Sequence, residues 1–245
     1  EALAEILAAI PGLLGAEQVA LPQALGRVTA NPIVARRTQP PLAVSAMDGY
    51  AVRASDLPGA LKVTREIAAG QHDERALDQG EAVRIFTGAP LPPGADAVAI
   101  QENAIDVKGG VRFDETIEPG RYVRAAGLDF REGSELVPAG RIISPRTVAL
   151  IAGGNHPWVK VCRRPRIAIV ATGDEIRAPG EPLGPAQIVS SNNLALSAFV
   201  QAQGGEAIDF GTVGDTLQAV ENAAARLTGF DIVVTTGGAS VGKHD

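Results

Sequence analysis

The last third of the chain alternates apolar runs with amphipathic segments. Residues 167–170, 207–210 and 232–234 are short runs of mostly apolar, often β-branched side chains, which is the pattern of buried strands. Between these runs, two segments repeat apolar side chains at three- and four-residue steps, which predicts helices. The order strand–helix–strand–helix–strand predicts a parallel sheet covered by helices on both faces.

Each predicted helix has one face that we expect to pack on this sheet. Ser190 or Ser191 is expected to cap the first helix. The packing face of that helix carries Leu194, Ala195, Ala198, Phe199 and Ala202. The packing face of the second helix carries Leu217, Val220, Ala224 and Leu227.

The first two thirds of the chain have a different pattern. Residues 2–10 show helical spacing, and Ser144-Pro145 is a cap and first-turn pair for a helix that ends near Gly153. Short strand-like runs lie between them, separated by turn clusters: residues 61–67, 81–86, 97–101, 105–107 and 111–113. Short strands at this rhythm predict a small β-barrel or sandwich.

Composition narrows the function. The 245 residues are enough for two or three modest domains. The net charge of −6 and the lack of a Lys/Arg run argue against nucleic acid as a partner. The single cysteine, Cys162, excludes an internal disulfide and predicts a reducing, cytoplasmic setting. No apolar run reaches membrane-spanning length and no signal peptide is visible, so no membrane partner is expected.

The last predicted strand runs into a glycine-rich stretch, Thr235-Thr-Gly-Gly-Ala-Ser-Val-Gly-Lys-His-Asp245. A strand that leads into glycines, hydroxyls and a lysine is one way in which backbone N–H groups come to cradle a phosphate. The spacing is not that of a Walker A loop. The alternative is a Gly-Gly turn that joins a core strand to a surface helix.

Three strand-end loops should meet at the carboxyl edge of the parallel sheet. If the strand order is 2-1-3, the loops after the first and third strands flank the switch point, where ligands bind. The three loops bring together Glu175, Asp215 and Asp245 beside Gly173, Gly237, Gly238 and Ser240. Carboxylates facing an anionic ligand require a hard cation between them, which suggests Mg²⁺. Alternatively, Asp215 caps the helix that starts at Thr216, and the other two carboxylates are solvated.

Two residues in the middle of the chain have ordinary local explanations. Asp48 precedes Gly49, which is a turn signal. Thr87 directly follows the strand-like run at residues 81–86 and is a turn threonine by its pattern. Neither residue would be assigned a function from its surroundings alone.

Four motifs occur together and in a fixed order. They are Ser45-Ala-Met-Asp-Gly-Tyr50, Arg84-Ile-Phe-Thr-Gly-Ala-Pro-Leu-Pro-Pro-Gly-Ala-Asp96, Ala171-Thr-Gly-Asp-Glu175 and Thr236-Gly-Gly-Ala-Ser-Val-Gly-Lys-His-Asp245. The set resembles the MoeA family of molybdopterin molybdenumtransferases, which is related to the E domain of gephyrin. The resemblance implies insertion of molybdate into adenylylated molybdopterin, with Mg²⁺ and release of AMP.

The resemblance also implies a multidomain fold, α/β plus β, with three parts. Residues 1–40 and 121–162 would form an elongated linker and dimerisation domain, and residues 41–120 an inserted small β-barrel-like domain. Residues 163–245 would form a MogA-like parallel α/β sheet domain that binds molybdopterin. Only the front of this domain is expected here, because the family's sheet domain continues beyond the position of Asp245.

Site residues follow from the matched motifs. Asp48 and Thr87 would line the cleft from the β-domain, and Glu175, Asp215 and Asp245 would line it from the sheet domain and hold Mg²⁺. The ligand-binding set would be Thr172, Gly173, Asp174, Thr236, Gly237, Gly238 and Ser240. The family forms homodimers with clefts shared between subunits, and a transient contact with the molybdopterin adenylyltransferase is expected.

The chain departs from the family pattern in two places. Leu42-Ala-Val44 stands where the family has a Phe-Asp-Asn-like run, and Thr216 follows Asp215 where a second acidic residue is frequent. Two other functions remain open: molybdopterin adenylyltransferase, whose sheet domain is similar, and a non-enzymatic dimeric scaffold of the gephyrin type.

Overall fold

The computed structural model describes residues 2–9, 12 and 14–237. The chain forms two compact units. The first contains Glu1–Asn31, Gly140–Ser144 and Trp158–Asp245, and the second contains Pro32–Ala139 and Pro145–Pro157. Among the described residues, no helix has the length and apolar character needed to cross a membrane.

The regular elements are numbered in chain order. The helices are α1 (Ala2–Ala8), α2 (Pro145–Gly153), α3 (Asn192–Ala202) and α4 (Leu217–Arg226). The strands are β1 (Ala16–Ala20), β2 (Ile33–Val34), β3 (Val44–Ser45), β4 (Gly49–Val52), β5 (Gly59–Ile67), β6 (Glu81–Ile85), β7 (Ala97–Ile100), β8 (Ile105–Val107), β9 (Gly110–Phe113), β10 (Val123–Arg124), β11 (Glu135–Val137), β12 (Trp158–Cys162), β13 (Arg166–Thr172), β14 (Ile176–Arg177), β15 (Ile188–Val189), β16 (Glu206–Val213) and β17 (Ile232–Thr236).

The first unit contains the predicted parallel sheet. Its order is β16-β13-β17, with β13 paired in parallel to both neighbours. This is the 2-1-3 order for which the loops after the first and third strands flank the switch point. All five residues from Ile167 to Ala171 are buried, because a central strand is covered on both faces.

The predicted packing face of α3 is wrong. Leu194 is 56% exposed and Phe199 is 63% exposed, whereas Asn193 is only 2% exposed. The inner face is instead Asn193, Leu196, Ser197 and Val200. Both sets follow helical spacing. Because Asn193 and Ser197 are polar, their face was expected to point to solvent, whereas it points inward.

The same error applies to α4 and β17. Leu217 and Val220 are exposed, and the half-buried positions of α4 and its end are Ala219, Ala223 and Leu227. Ile232 and Val233 of β17 are also exposed rather than buried. Among the described residues β17 pairs with β13 alone.

The first unit also contains an antiparallel pair, β1 with β12. Thr29 forms a bridge to Val161 of this pair, and both residues are fully buried. Arg163, just after β12, forms a bidentate ion pair with Asp231 at the start of β17, at 2.8 and 2.9 Å. The backbone N–H of Arg166 also donates to Asp231, at 2.7 Å. Asp231 therefore connects the ends of β12, β13 and β17 through the ion pair and this backbone hydrogen bond.

The second unit is built on one mixed six-stranded sheet in the order β7-β4-β6-β5-β9-β8. The five predicted strand runs correspond to β5 to β9. Successive residues alternate between two apolar clusters, as Ala51 and Val52 do in β4, because neighbouring side chains of a strand point to opposite faces. The six-stranded sheet thus has an apolar cluster on each face. Helix α2 contacts β11, which pairs with β2.

Candidate active site

Asp48 and Thr87 form a tight pair in the second unit. The backbone N–H and the hydroxyl of Thr87 both donate to Oδ1 of Asp48, each at 2.8 Å. The pKa of Asp48 lies below its usual value of 3.8, mainly because of the backbone N–H of Thr87 and then its hydroxyl, with a small contribution from the charge of Arg84. Asp48 is therefore a carboxylate at neutral pH and cannot supply a proton there.

Strand pairing brings this pair together. In the antiparallel ladder of β4 and β6, Gly49 lies opposite Ile85, so Asp48 and Thr87 extend from adjacent strand ends. Gly49 is required here because a Cβ would collide with the carbonyl oxygen of Ala99 in β7. The Asp-Gly sequence thus marks a close approach of strands as well as a turn.

Arg84 supports the same strand ends. Its guanidinium lies 5.0 Å from the ring centroid of Tyr50 and 5.1 Å from that of Phe86. It also donates to the carbonyl oxygen of Gly49 at 3.3 Å. Contacts with two aromatic rings restrict the conformations of the long Arg84 side chain. They hold its positive charge close enough to Asp48 to lower the pKa of that carboxyl slightly.

A cavity of about 950 Å³ lies in the second unit, next to the loop that carries Thr87. The residues that line it include Leu42, His72, Gly88, Arg124 and Asp129. This size suits a ligand of a few hundred daltons. Leu42 belongs to the segment that departs from the family pattern, so any ligand here would meet an apolar wall.

In the first unit, two loops meet in backbone contact at the carboxyl edge of the sheet. The hydroxyl of Thr172 donates to the carbonyl oxygen of Thr236 at 3.4 Å. Gly237 has a φ of +92°, and a Cβ there would collide with the carbonyl oxygen of Thr172. The glycine is needed for both reasons. The structure thus places Thr172, Thr236 and Gly237 together.

The third loop joins them through Gly173 and Gly214. The N–H of Gly173 donates to the carbonyl oxygen of Val213 at 3.3 Å. Gly173 has a φ of +139°, and the carboxylate of Glu175 folds back to within 2.6 Å of where its Cβ would be. Asp174 Oδ1 lies 3.1 Å from the corresponding position at Gly214. Carboxylates of the first loop therefore lie against glycines of the first and second loops, where a larger side chain would displace them.

Asp215 follows Gly214 and is exposed. It is not the cap of α4. The cap is Thr216, whose side-chain oxygen accepts from the N–H of Ala219 at 3.2 Å. The capping explanation for Asp215 is therefore wrong, and its carboxylate remains available for another role. Ser191 occupies the cap position of α3, but its side chain makes no capping hydrogen bond.

The predicted metal ligands are described only in part. Asp245 lies outside the described residues, as do Gly238 and Ser240. Among residues 14–237, no group of three or more His, Cys, Asp or Glu side chains is placed to hold a metal ion. The donors that approach the sheet edge, Asp174 and Glu175, are carboxylates, and this all-oxygen chemistry fits a hard cation such as Mg²⁺.

Sequence reasoning gave no role to Asn193 and Asp209, which form a hydrogen-bonded network under the loop that carries Asp215. Asn193 Nδ2 donates to Asp209 Oδ1 at 2.7 Å. The signal that could have found this network is Gly211, because a glycine inside a strand pattern indicates a bulge.

Comparisons with known proteins agree with these features. Residues 1–154 match the family described as "MoeA N-terminal region (domain I and II)". Residues 168–245 match the family described as "Probable molybdopterin binding domain".

Similar curated proteins carry one function name. The chain is 41% identical to "Molybdopterin molybdenumtransferase" of Nostoc sp. over 94% of its length, and it covers 54% of that protein. It is 33% identical to the protein of the same name from Haemophilus influenzae over its full length, covering 62% of that protein. The chain thus spans between half and two thirds of the length of these relatives.

Similar solved structures agree in fold. A "molybdopterin biosynthesis moea protein" from Pyrococcus horikosii superposes with a TM-score of 0.89 at 34% identity, over 96% of this chain and 62% of that one. A second structure, from Pyrococcus horikoshii OT3, gives a TM-score of 0.80 at 29% identity, over 96% of this chain and 63% of that one.

Proposed function

The chain belongs to the MoeA family, and on this basis we propose that the protein is a molybdopterin molybdenumtransferase. It inserts molybdate into adenylylated molybdopterin and releases AMP. The observation that supports the proposal is the meeting of three strand-end loops at the carboxyl edge of β13, around Gly173, Gly214 and Gly237. Such edges bind nucleotides and phosphates in open α/β sheets.

The sheet-edge residues have distinct parts in this proposal. Thr172, Gly173, Asp174, Thr236, Gly237, Gly238 and Ser240 contact the molybdopterin phosphate and the nucleotide. Glu175, Asp215 and Asp245 would hold Mg²⁺, which would neutralise part of the negative charge of molybdate and the phosphoanhydride. Positioning of the reactants and charge compensation can supply most of the lowering of the activation barrier in such a reaction.

Asp48 and Thr87 contribute from the second unit. Because Asp48 is ionised and fixed by two donors, it can accept hydrogen bonds from a substrate or orient a water. It is unsuited to general acid catalysis, since its pKa is lowered.

The family assembly completes the proposal. Residues 1–40 and 121–162 serve dimerisation, residues 41–120 form the inserted β-domain, and residues 163–245 belong to the molybdopterin-binding domain. The protein acts as a homodimer in the cytoplasm and receives its substrate from the adenylyltransferase.

The test uses the full-length protein with adenylylated molybdopterin, molybdate and Mg²⁺. We expect AMP release that depends on molybdate, together with active cofactor measured by reconstitution of a molybdenum-free reporter enzyme. Asp48→Asn should abolish most of both signals. Adenylyl transfer from ATP to molybdopterin would indicate the adenylyltransferase instead. Neither activity, with a stable dimer, would indicate a scaffold.

A further inference from the structure

Strand β16 contains a bulge near its carboxyl end. Ile169 of β13 pairs with Asp209, but Ala171 pairs with Thr212. Val170 therefore faces two residues of β16, Phe210 and Gly211. Gly211 has a φ of +74°, the left-handed conformation that glycine adopts without strain. Bulges are uncommon in parallel pairs and often lie beside active sites.

Side chains hold this bulge in place. Asp209 Oδ1 accepts from the N–H of Gly211 at 2.8 Å and from Nδ2 of Asn193 at 2.7 Å. The same Nδ2 lies 3.3 Å from the carbonyl oxygen of Gly211. One amide group from the first turn of α3 thus donates to the Asp209 side chain, which itself holds the N–H of Gly211, and to the carbonyl oxygen of Gly211. Both backbone groups of Gly211 gain partners in place of the ladder bonds that a bulge disrupts.

The orientation of this amide is fixed. Asn193 is 2% exposed, and its Oδ1 is buried without a hydrogen-bond partner. Rotating the amide by a half turn would place Oδ1 against the carboxylate of Asp209, bringing two acceptors together. The side chain leaves one buried oxygen unsatisfied in order to present its N–H₂ group to the bulge. Such an arrangement is costly and calls for a reason.

The bulge sets the register of the loop that follows. Thr212 and Val213 pair with Ala171 and Thr172 because of the extra residue. Side chains along a strand alternate between faces, so loss of one residue from the register would move each following side chain to the opposite face. Gly214 and Asp215 come directly after Val213, which is the acceptor for Gly173 N–H.

We infer that Asn193 is a positioning residue, whose amide holds the Gly211 bulge and thereby sets where Asp215 lies relative to the Gly173 loop. Asn193 itself touches neither substrate nor metal in this inference. The inference rests on the proposed function, since that function gives Asp215 its role.

The first test measures molybdate insertion by full-length variants. Asn193→Leu removes the amide at similar volume, and we expect kcat/KM to fall roughly ten- to a hundredfold, as for residues that orient a ligating group. In an Asp215→Asn background the same change should cost little more. Equal losses in both backgrounds would show that Asn193 acts independently of Asp215 and would overturn the inference.

Matched variants separate positioning from folding. Gln201→Leu makes the same chemical change at an exposed position of α3 and should retain activity. Asp209→Ala removes the other half of the network at an exposed site and should reproduce the loss, including if Asn193→Leu fails to fold. Asp209→Asn keeps an oxygen acceptor and should retain most activity. Full activity of Asp209→Ala would contradict the inference.

The second test does not depend on enzyme activity. Hydrogen exchange should accelerate at residues 211–216 in Asp209→Ala, with exchange at the buried strand β13 unchanged. Unaltered exchange at residues 211–216 overturns the positioning role whatever the enzyme does. If the wild-type protein fails to insert molybdate while exchange changes as expected, the proposed function fails and the control of loop position stands.

Discussion

Thr87 determines the ionisation of Asp48 through two separate groups, its backbone N–H and its hydroxyl. The two contributions can be separated, because only the hydroxyl depends on the side chain. The backbone N–H makes the larger contribution to the lowered pKa of Asp48. Any residue at position 87 other than proline can therefore keep part of the effect.

Thr87→Val should raise the pKa of Asp48 towards its ordinary value of 3.8 without reaching it, because the backbone N–H remains. An activity that needs the carboxylate would then fail at a higher pH during acidification than in the wild type. NMR titration of the Asp48 carboxyl carbon measures the shift directly. Thr116→Val, at an exposed position of the same unit, is the control, and an unchanged midpoint in Thr87→Val would contradict the assignment.

Gly49→Ala should destabilise the second unit by at least about 2 kcal/mol, because the new Cβ meets the backbone of β7 and cannot be accommodated by a side-chain rotation. Gly140→Ala is the comparison. Gly140 has a φ of +74° and open space around it, so alanine there should cost only about 1 kcal/mol. Urea unfolding of both variants tests this, and equal costs would rule out the steric explanation.

Among whole elements, the helices show where sequence patterns are insufficient. The existence and approximate bounds of α3 and α4 follow from helical spacing, those of α2 from the Ser144-Pro145 pair, and β13 from its apolar run. The packing face of α3 cannot be predicted in this way. Leu194 and Phe199 fit the spacing of a helix face as well as Leu196 and Val200 do. The inner face carries the Asn193 contact with β16, a tertiary interaction that the sequence of the helix alone does not indicate.

The start of α4 provides a direct test of capping. Thr216→Ala should lower the free energy of unfolding by about 1 kcal/mol, because the N–H of Ala219 loses its acceptor. Asp215→Ala, one residue earlier, should leave stability nearly unchanged since Asp215 does not cap the helix. Chemical denaturation distinguishes the two, and a larger loss for Asp215→Ala would reverse the assignment.

The ion pair that connects β12 and β17 should make the first unit sensitive to acid. Hydrogen bonds from Arg163 and then from the N–H of Arg166 lower the pKa of Asp231 from 3.8 to about 2. A lowered folded-state pKa gives a stabilisation that is complete above about 3.8 and disappears as the pH falls towards about 2.

Asp231→Asn should therefore be less stable than the wild type at neutral pH, and the difference should narrow as the pH falls through this range. Thermal unfolding at a series of pH values measures the difference. Asp114→Asn removes the charge of a more exposed pair with Arg112 and should show little effect at any pH. A constant gap between Asp231→Asn and the wild type would exclude the linkage.

At the scale of the whole molecule, the parallel sheet was predictable and the Asp48 site was not. The convergence of the strand-end loops at one edge follows from the handedness of strand–helix–strand crossovers, a general rule. Asp48 and Thr87 lie 39 positions apart and meet only through the register of β4 and β6. Pairing between distant strands is set by the complete fold, so local windows show only a turn. Resemblance to a known family supplied what the local pattern could not.

The interleaved course of the two units has a consequence for synthesis. The first unit is assembled from three separate stretches of chain, and the second lies between them. Strand β1 leaves the ribosome early, but its partner β12 emerges only after all of the second unit. The second unit can therefore fold during translation, while β1 still lacks its partner strand. Slow elongation after position 157 would lengthen the time during which β1 is unpaired and would favour binding of chaperones to it.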